Sequence, residues 1–182
     1  MLVVANSFIG AKLSTEIFIS VRSAGIVIAY IIVFVLNGQL SPDLKAKLVF
    51  MRWKDALPGC RAFSYHGKND PRIDMSALVN LHGVLPTLAR EQNQHWYKIY
   101  KEHKAEPSVL KSHKEFLLGR DMTSMAFLFM MLAGVPALFI SVWSWNTIYF
   151  GVLLVIYLAT SNLARNHGRR FVTNVLAMES TK

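Results

Sequence analysis

The sequence has little charge and almost no cysteine. Only 17% of its 182 residues are charged, whereas 53% are hydrophobic, and this balance excludes an intrinsically disordered chain. The single cysteine, Cys60, excludes a small secreted scaffold held together by disulfides. Acidic residues are also scarce, with 11 Asp and Glu against 20 Lys and Arg. What the chain has in their place is long apolar runs, which indicate a protein of the lipid bilayer.

Three of these runs are long enough to cross a bilayer as helices, which takes about 20 residues at 1.5 Å per residue. The first run covers residues 17–36 and follows residues 1–16, which we interpret as an amphipathic lead-in segment. The second run, residues 122–143, contains no charged side chain, and the third covers residues 147–164. Because only three residues separate the second and third runs, we expect them to form an antiparallel hairpin.

Positive charge is distributed unevenly around the three runs. Residues 41–121 contain 14 of the 20 Lys and Arg, and the tail, residues 165–182, contains four more. The positive-inside rule therefore predicts an N-terminus outside and both basic segments in the cytoplasm. The predicted fold is an all-α integral membrane protein with three transmembrane helices, N-out and C-in, and a helical cytoplasmic domain between the first two. The residues expected to anchor the outer interface are Arg22, Trp143 and Trp145.

Punctuating residues divide the predicted cytoplasmic domain into short helices. Ser41-Pro42-Asp43 is typical of a helix start, and Leu57-Pro58-Gly59 of a helix end. The polar stretch from Cys60 to Arg72 is interpreted as an irregular loop. Three further helices are expected, namely Asp74–His82, one from Pro86 to about Lys104, and a long one from Ser108 to Ser141 that enters the second span.

An arginine with a histidine five positions later occurs twice, as Arg61 with His66 and as Arg90 with His95. The pattern resembles the active-site motif of HEPN-type ribonucleases, whose paired arginine and histidine act on an RNA 2′-hydroxyl and phosphate. Chance also produces such pairs in a chain with this many arginines and histidines. No catalytic residue is therefore assigned, and a membrane-tethered ribonuclease is kept as an alternative function.

The sequence predicts neither a metal site nor a cofactor, because no two histidines lie four residues apart and no CxxC pair occurs. Aromatic residues among lysines near Trp96 would suit nucleic acid. A basic domain beside a membrane is more simply attracted to anionic lipid headgroups, so lipid is the expected partner and nucleic acid is not. The residues predicted to bind a ligand or a cytoplasmic protein partner are Arg61, His66, Lys68, Arg72, Trp96 and Tyr97.

Small residues recur at helical spacing within the apolar runs, where they allow close approach of helix backbones. A proline near the middle of the second span is expected to kink it. Such contacts serve either packing within one chain or a homo-oligomer. The residues assigned to packing or gating are Gly25, Ala29, Gly134, Pro136, Ala137 and Ser141.

Three stretches, Leu57 to Ser64, Arg90 to Asn93 with Trp96-Tyr97, and Arg170 to Val172, are similar to an uncharacterised family of small bacterial inner-membrane proteins. The resemblance implies a compartment, the bacterial inner membrane, and no chemistry. The three-span architecture also resembles membrane effectors of bacterial antiviral systems. The expected function is therefore non-enzymatic: a self-associating protein whose cytoplasmic domain responds to a partner or ligand and alters membrane integrity or forms a pore. A structural subunit of a larger membrane complex is the second alternative.

Overall fold

The computed structural model describes residues 24–139 and 143–182, with the backbone alone at positions 143 and 144. Within these ranges every regular element is a helix and no strand occurs, which confirms the predicted all-α fold. The predicted lead-in, the first seven residues of the predicted first span, and Ser141 lie outside the described residues. The chain divides into two units: Met1–Gln39, which contains helix α1 (Ala24–Gln39), and Leu40–Lys182.

Nearly all of the second unit is helical. Two of its predicted helix starts are confirmed: the Ser41 hydroxyl accepts a hydrogen bond from the Leu44 amide at 3.2 Å, and the Asp74 carboxylate caps the helix that follows it. The elements in chain order are α2 (Pro42–Phe50), a 3₁₀ turn (Pro58–Arg61), a π-helical turn (Ala62–His66), α3 (Gly67–Asn69), α4 (Met75–His82), α5 (Ala89–His103), α6 (Pro107–Phe129), a second π-helical turn (Met130–Gly134), α7 (Val135–Ala137) and α8 (Trp143–Ser180).

Two predictions for the region between α1 and α4 were wrong. Helix α2 ends at Phe50 and not near Leu57, because Met51 has a φ of 50° and so takes the left-handed conformation. The expected irregular loop is a series of short helical turns from Pro58 to Asn69. Gly59 was interpreted as part of the helix-end signal Leu57-Pro58-Gly59. Gly59 is instead required by close packing, since a Cβ there would lie 2.4 Å from the Asn93 side chain.

Among the described residues, two helical segments are long and apolar enough to cross a membrane, Pro107–Ala137 and Trp145–Ser180. A third candidate exists only if α1 and α2 are counted together as one interrupted span. The first segment comprises α6, the second π-helical turn and α7. The π-helical turn ends two residues before Pro136, a position where proline removes a backbone donor and a wider turn accommodates the change.

Helix α8 runs without interruption for 38 residues, about 57 Å at 1.5 Å per residue. Residues 165–182 were expected to form a basic cytoplasmic tail, and residues 165–180 of this segment are the C-terminal part of α8. Its apolar residues explain the difference, because Val172, Val175 and Leu176 have no exposed surface and belong to the core. The tail was judged by its charges, whereas the stripe of apolar residues between them decides its structure.

Helices α6 and α8 pack antiparallel through small residues. A Cβ on Gly119 would lie 3.1 Å from the Ala164 Cα, so the two backbones are in close contact there. Farther along, a Cβ on Gly134 would lie 3.0 Å from the Leu153 side chain. Beyond the Gly119 contact, α4, α5 and the two turns before α4 cover the end of this pair. The core residues there include Phe63, Leu78, Ile99, Phe116 and Phe171.

Candidate functional site

Four arginines line one cavity of about 210 Å³ on the second unit. Arg52 follows α2, Arg61 ends the 3₁₀ turn, and Arg165 and Arg169 are one turn apart on α8. His66 also lines the cavity and is 9% exposed. No carboxylate is among the described residues that form its walls; the others are Phe50, Leu57, Pro58 and Tyr65. We refer to this site as the arginine cavity.

The turns that carry Arg61 and His66 are held by a buried glutamine. Gln92 of α5 is 1% exposed, and its Oε1 accepts hydrogen bonds from the amides of Phe63 at 3.2 Å and Ser64 at 3.0 Å. These amides belong to the first π-helical turn, where a helix start leaves donors without intrahelical partners. The Gln92 side chain also donates to the Thr87 carbonyl at 2.7 Å. Gln92 therefore fixes one wall of the cavity against α5.

The other wall joins the end of α2 to α8. The Val49 carbonyl accepts hydrogen bonds from the Ser161 hydroxyl at 2.7 Å and from Arg165 Nε at 2.6 Å. One turn earlier on α8, the Tyr157 hydroxyl donates to the Leu48 carbonyl at 2.9 Å. These three side chains satisfy carbonyls that the end of a helix leaves free. They also hold the arginines of α8 beside the residues that follow α2.

Burial and mutual repulsion both act on the basic groups of the cavity. Burial, and then the charges of Arg61, Arg165 and Arg169, lower the pKa of Arg52. Burial, followed by the charges of Arg169, Arg61 and Arg52, lowers the pKa of His66 from 6.5 to about 4. His66 is therefore neutral at pH 7, with a ring nitrogen able to accept or donate a hydrogen bond. An anion bound among these groups would offset the repulsion between their positive charges.

Several guanidinium groups around the cavity lack a partner among the described residues. Arg165 Nη2 is buried without a hydrogen bond. Arg52, Arg61 and Arg169 form no ion pair or side-chain hydrogen bond with any residue in the described ranges. A buried donor without a partner is costly, and guanidinium groups match the oxygen atoms of phosphate and carboxylate groups. The arrangement is suited to binding an oxyanion.

The structure brings together only two of the six residues predicted to bind a ligand or partner, Arg61 and His66. Arg72 lies elsewhere and pairs with Asp70 at 2.8 Å, and this hydrogen bond is the main reason why the pKa of Asp70 falls to about 2. Lys68 is exposed beside a different, mostly apolar cavity.

The two aromatic residues predicted to contact a ligand or partner, Trp96 and Tyr97, differ in how far they are buried. Trp96 is 5% exposed and belongs to the core, stacked on Tyr100 and edge-on to Phe171. Its apolar ring fills space between α5 and α8, so it is not available on a contact surface. Tyr97, the next residue, is 48% exposed, and the Lys101 ammonium lies 5.0 Å from its ring centroid.

The two arginine and histidine pairs have different surroundings. Arg61 and His66 face the same cavity, whereas Arg90 lines a separate cavity with Asp43 and Asp55. The His95 ring contacts the rings of Phe63 and His82, and burial lowers its pKa. Arg90 and His95 therefore do not form a common site.

The residues assigned to packing and anchoring differ in their surroundings. Gly134 contacts Phe150 and Leu153 of α8, so its small size serves packing within the chain. Pro136 is exposed and Ala137 half-buried in α7, while Gly25 and Ala29 are exposed on α1. Trp145 is 73% exposed at the start of α8. Arg22, Ser141 and the Trp143 side chain lie outside the described residues.

No group of three metal-ligating side chains occurs in the part of the chain that the structure describes. Cys60 is buried, and burial raises the pKa of its thiol, which disfavours the reactive thiolate.

Sequence reasoning missed three members of the arginine cavity: Arg52, Arg165 and Arg169. They were counted only as positive charges for the threading of the chain. One local signal was present, since Arg165 and Arg169 are four residues apart on one helix face, where like charges destabilise a helix. Their meeting with Arg52 and Arg61 depends on packing over more than a hundred residues of sequence separation.

The residues that carry the resemblance to inner-membrane proteins contact one another. Gly59 packs against Asn93 and Trp96, and Trp96 against Phe171. Comparison with family models, curated proteins and solved structures gives no match for this chain. The site must therefore be interpreted from its own geometry.

Proposed function

We propose that this protein is a three-span membrane protein whose cytoplasmic region binds a phosphate-bearing anion in the arginine cavity. Its N-terminus lies outside a bacterial inner membrane, and residues 41–121 and the end of α8 lie in the cytoplasm. The charge asymmetry supports this threading, with 18 of 20 Lys and Arg in those two segments. The observation that carries the proposed function is four guanidinium groups around one cavity without a carboxylate.

Phosphate is the anion that fits this chemistry best. Arginine binds it through two parallel N–H donors, and the positive field of several arginines increases the local concentration of anions. The neutral His66 ring adds a donor or acceptor that does not compete for charge.

Binding in the cavity is connected to the membrane through α8. The helix is continuous from Arg169 to its exposed apolar half, and its Tyr157, Ser161 and Arg165 hold the end of α2. An anion that draws Arg52 and Arg61 towards α8 strengthens this junction. Altered helix packing, self-association and opening of the membrane are the proposed response.

Thermal unfolding of the detergent-solubilised protein tests the proposal. Phosphate or glycerol 3-phosphate should raise the unfolding temperature above that in chloride at equal ionic strength, because a ligand of the folded state stabilises it. Arg61→Gln and Arg169→Gln should abolish this difference. Arg170→Gln is the matched control, since Arg170 is exposed on the same helix and does not line the cavity.

A wild-type protein that responds equally to phosphate and chloride would refute anion binding. If that protein is also monomeric by mass measurement, the structural-subunit alternative is favoured. A closed ring of subunits would instead support self-association around a pore.

A membrane-tethered ribonuclease is the second candidate, favoured by one observation: Arg61 and a neutral His66 face the same cavity. An RNA phosphate would bind the arginines while His66 accepts the 2′-hydroxyl proton. Incubation with single-stranded RNA tests this function. Cleavage that is lost in His66→Gln and retained in His95→Gln would support it, whereas no cleavage by the wild type would exclude it.

A further inference from the structure

An apolar groove lies beside the arginine cavity and shares a wall with it. Six apolar residues and the basic Lys47 form the groove, which has a volume of about 210 Å³; the apolar ones are Leu44, Leu48, Met51, Trp53, Phe127 and Tyr157. Trp53 is 81% exposed and Met51 48% exposed. Large apolar side chains exposed together in one concave surface mark a binding site for an apolar group.

The shared wall is the segment from Phe50 to Trp53. Phe50 and Arg52 line the arginine cavity, whereas Met51 and Trp53 line the apolar groove. Alternate residues therefore face opposite sides, and the left-handed conformation of Met51 directs the chain away from α2 at this point. A charged site and an apolar site thus lie on the two sides of this turn.

Helix α8 gives the distance between the two sites. Tyr157 lines the groove and Arg165 lines the cavity, eight residues apart, which is about 12 Å along a helix. Tyr157 lies in the predicted third span, and Arg165 is the first residue after it. Along α8, the groove therefore reaches into the predicted third span, whereas the cavity lies just beyond the cytoplasmic end of that span.

We infer that the ligand of the arginine cavity is an acidic glycerophospholipid, with its phosphate among the four arginines and one acyl chain in the apolar groove. This inference rests on the proposed function, because it uses the same cavity. A small soluble phosphate would occupy the cavity alone and leave the groove empty. The phospholipid matches both sites and the distance between them. Its glycerol backbone joins a phosphate to an apolar chain, and this spacing is comparable to the distance between Arg165 and Tyr157 along α8.

The two halves of the ligand are tested separately in delipidated, detergent-solubilised full-length protein. Binding of short-chain phosphatidylglycerol is compared with binding of glycerol 3-phosphate, which has the phosphate without the acyl chains. The lipid should bind at least about tenfold more tightly, since the burial of a few methylene groups is sufficient for such a difference. Phosphatidylcholine, which has the same chains and no net negative charge, should bind about tenfold more weakly than phosphatidylglycerol.

Variants assign each half of the lipid to its site. Arg169→Gln should weaken both ligands, and Trp53→Ala should weaken phosphatidylglycerol more than glycerol 3-phosphate. Trp145→Ala is the matched control, because Trp145 is also largely exposed and does not line the groove. This variant should bind both ligands as the wild type does.

The outcomes distinguish the inference from the function on which it rests. If glycerol 3-phosphate binds, depends on Arg169, and matches phosphatidylglycerol in affinity, the lipid inference is overturned and the anion site stands. If the lipid binds with the same affinity in Arg169→Gln, its phosphate lies elsewhere and the inference also fails. If neither ligand binds, the inference and the proposed function fail together.

Discussion

Both halves of α8 contain apolar residues, 13 in residues 143–161 and 8 in residues 162–180, but these residues have opposite surroundings. In the N-terminal half, apolar side chains face outwards, with Ile148 57% and Val155 65% exposed. In the C-terminal half, Val172, Val175 and Leu176 have no exposed surface. One helix is therefore a candidate membrane span at one end and a core element at the other.

This difference shows that apolar content alone does not identify a membrane span. The N-terminal half is apolar around most of its circumference, so a bilayer is the surrounding that would cover it. The C-terminal half has an apolar stripe and a polar face that carries Arg169 and Arg170.

Close backbone packing should be essential where α6 meets α8 and dispensable on the exposed N-terminal half of α8. Gly119→Leu should destabilise the protein by more than about 4 kcal/mol, because its side chain would overlap the Ala164 backbone. Gly151→Leu should have little effect, since no atom lies within 4 Å of a Cβ built there. Circular dichroism during SDS-induced unfolding measures both. Equal losses would contradict the comparison.

Removal of apolar volume should be costly only in the packed half. Leu176→Ala creates a cavity in the core and should reduce the free energy of unfolding by about 3 kcal/mol. Leu158→Ala, at a position that is 46% exposed, should change it by less than about 0.5 kcal/mol. The same unfolding assay applies. A large loss in Leu158→Ala would mean that this face packs against another protein surface.

The turn that carries Arg61 and His66 should depend on one buried amide. Gln92→Leu leaves the amides of Phe63 and Ser64 without an acceptor and should cost about 2 kcal/mol. It should also weaken anion binding, because the cavity wall loses its support. Gln94→Leu is the control, as Gln94 is exposed on the same helix. Anion binding and stability should both be normal in that variant.

Acidification should destabilise the packed region through His66. Its pKa is about 4 in the folded protein against an ordinary 6.5, so between these pH values the unfolded chain takes up a proton that the folded chain does not. The free energy of unfolding therefore decreases as the pH is lowered through this window. At pH 5.5 it should be about 1 kcal/mol lower than at neutral pH. Comparison with His66→Gln isolates the effect. The variant should have a shallower slope, and bound phosphate should reduce the slope of the wild type.

Features determined by neighbouring residues were predictable. The start of α2 follows from Ser41-Pro42, and the start of α4 from Asp74, since both caps act within three residues. The end of α2 was not predictable, because Met51 adopts a conformation that its side chain does not favour. The burial of Trp96 also depends on Phe171, which lies on another helix.

By itself, the sequence determined that the chain is helical, basic and rich in segments suited to a bilayer, because helix propensity, capping and apolar runs act over short distances. Only the tertiary structure decided that the supposed tail is half of a core helix and that Arg52 and Arg61 meet Arg165 and Arg169. The physical reason is that a positive charge has the same sign wherever it occurs in the sequence. Whether it lies in solvent or faces three others across a cavity depends on which helices pack together.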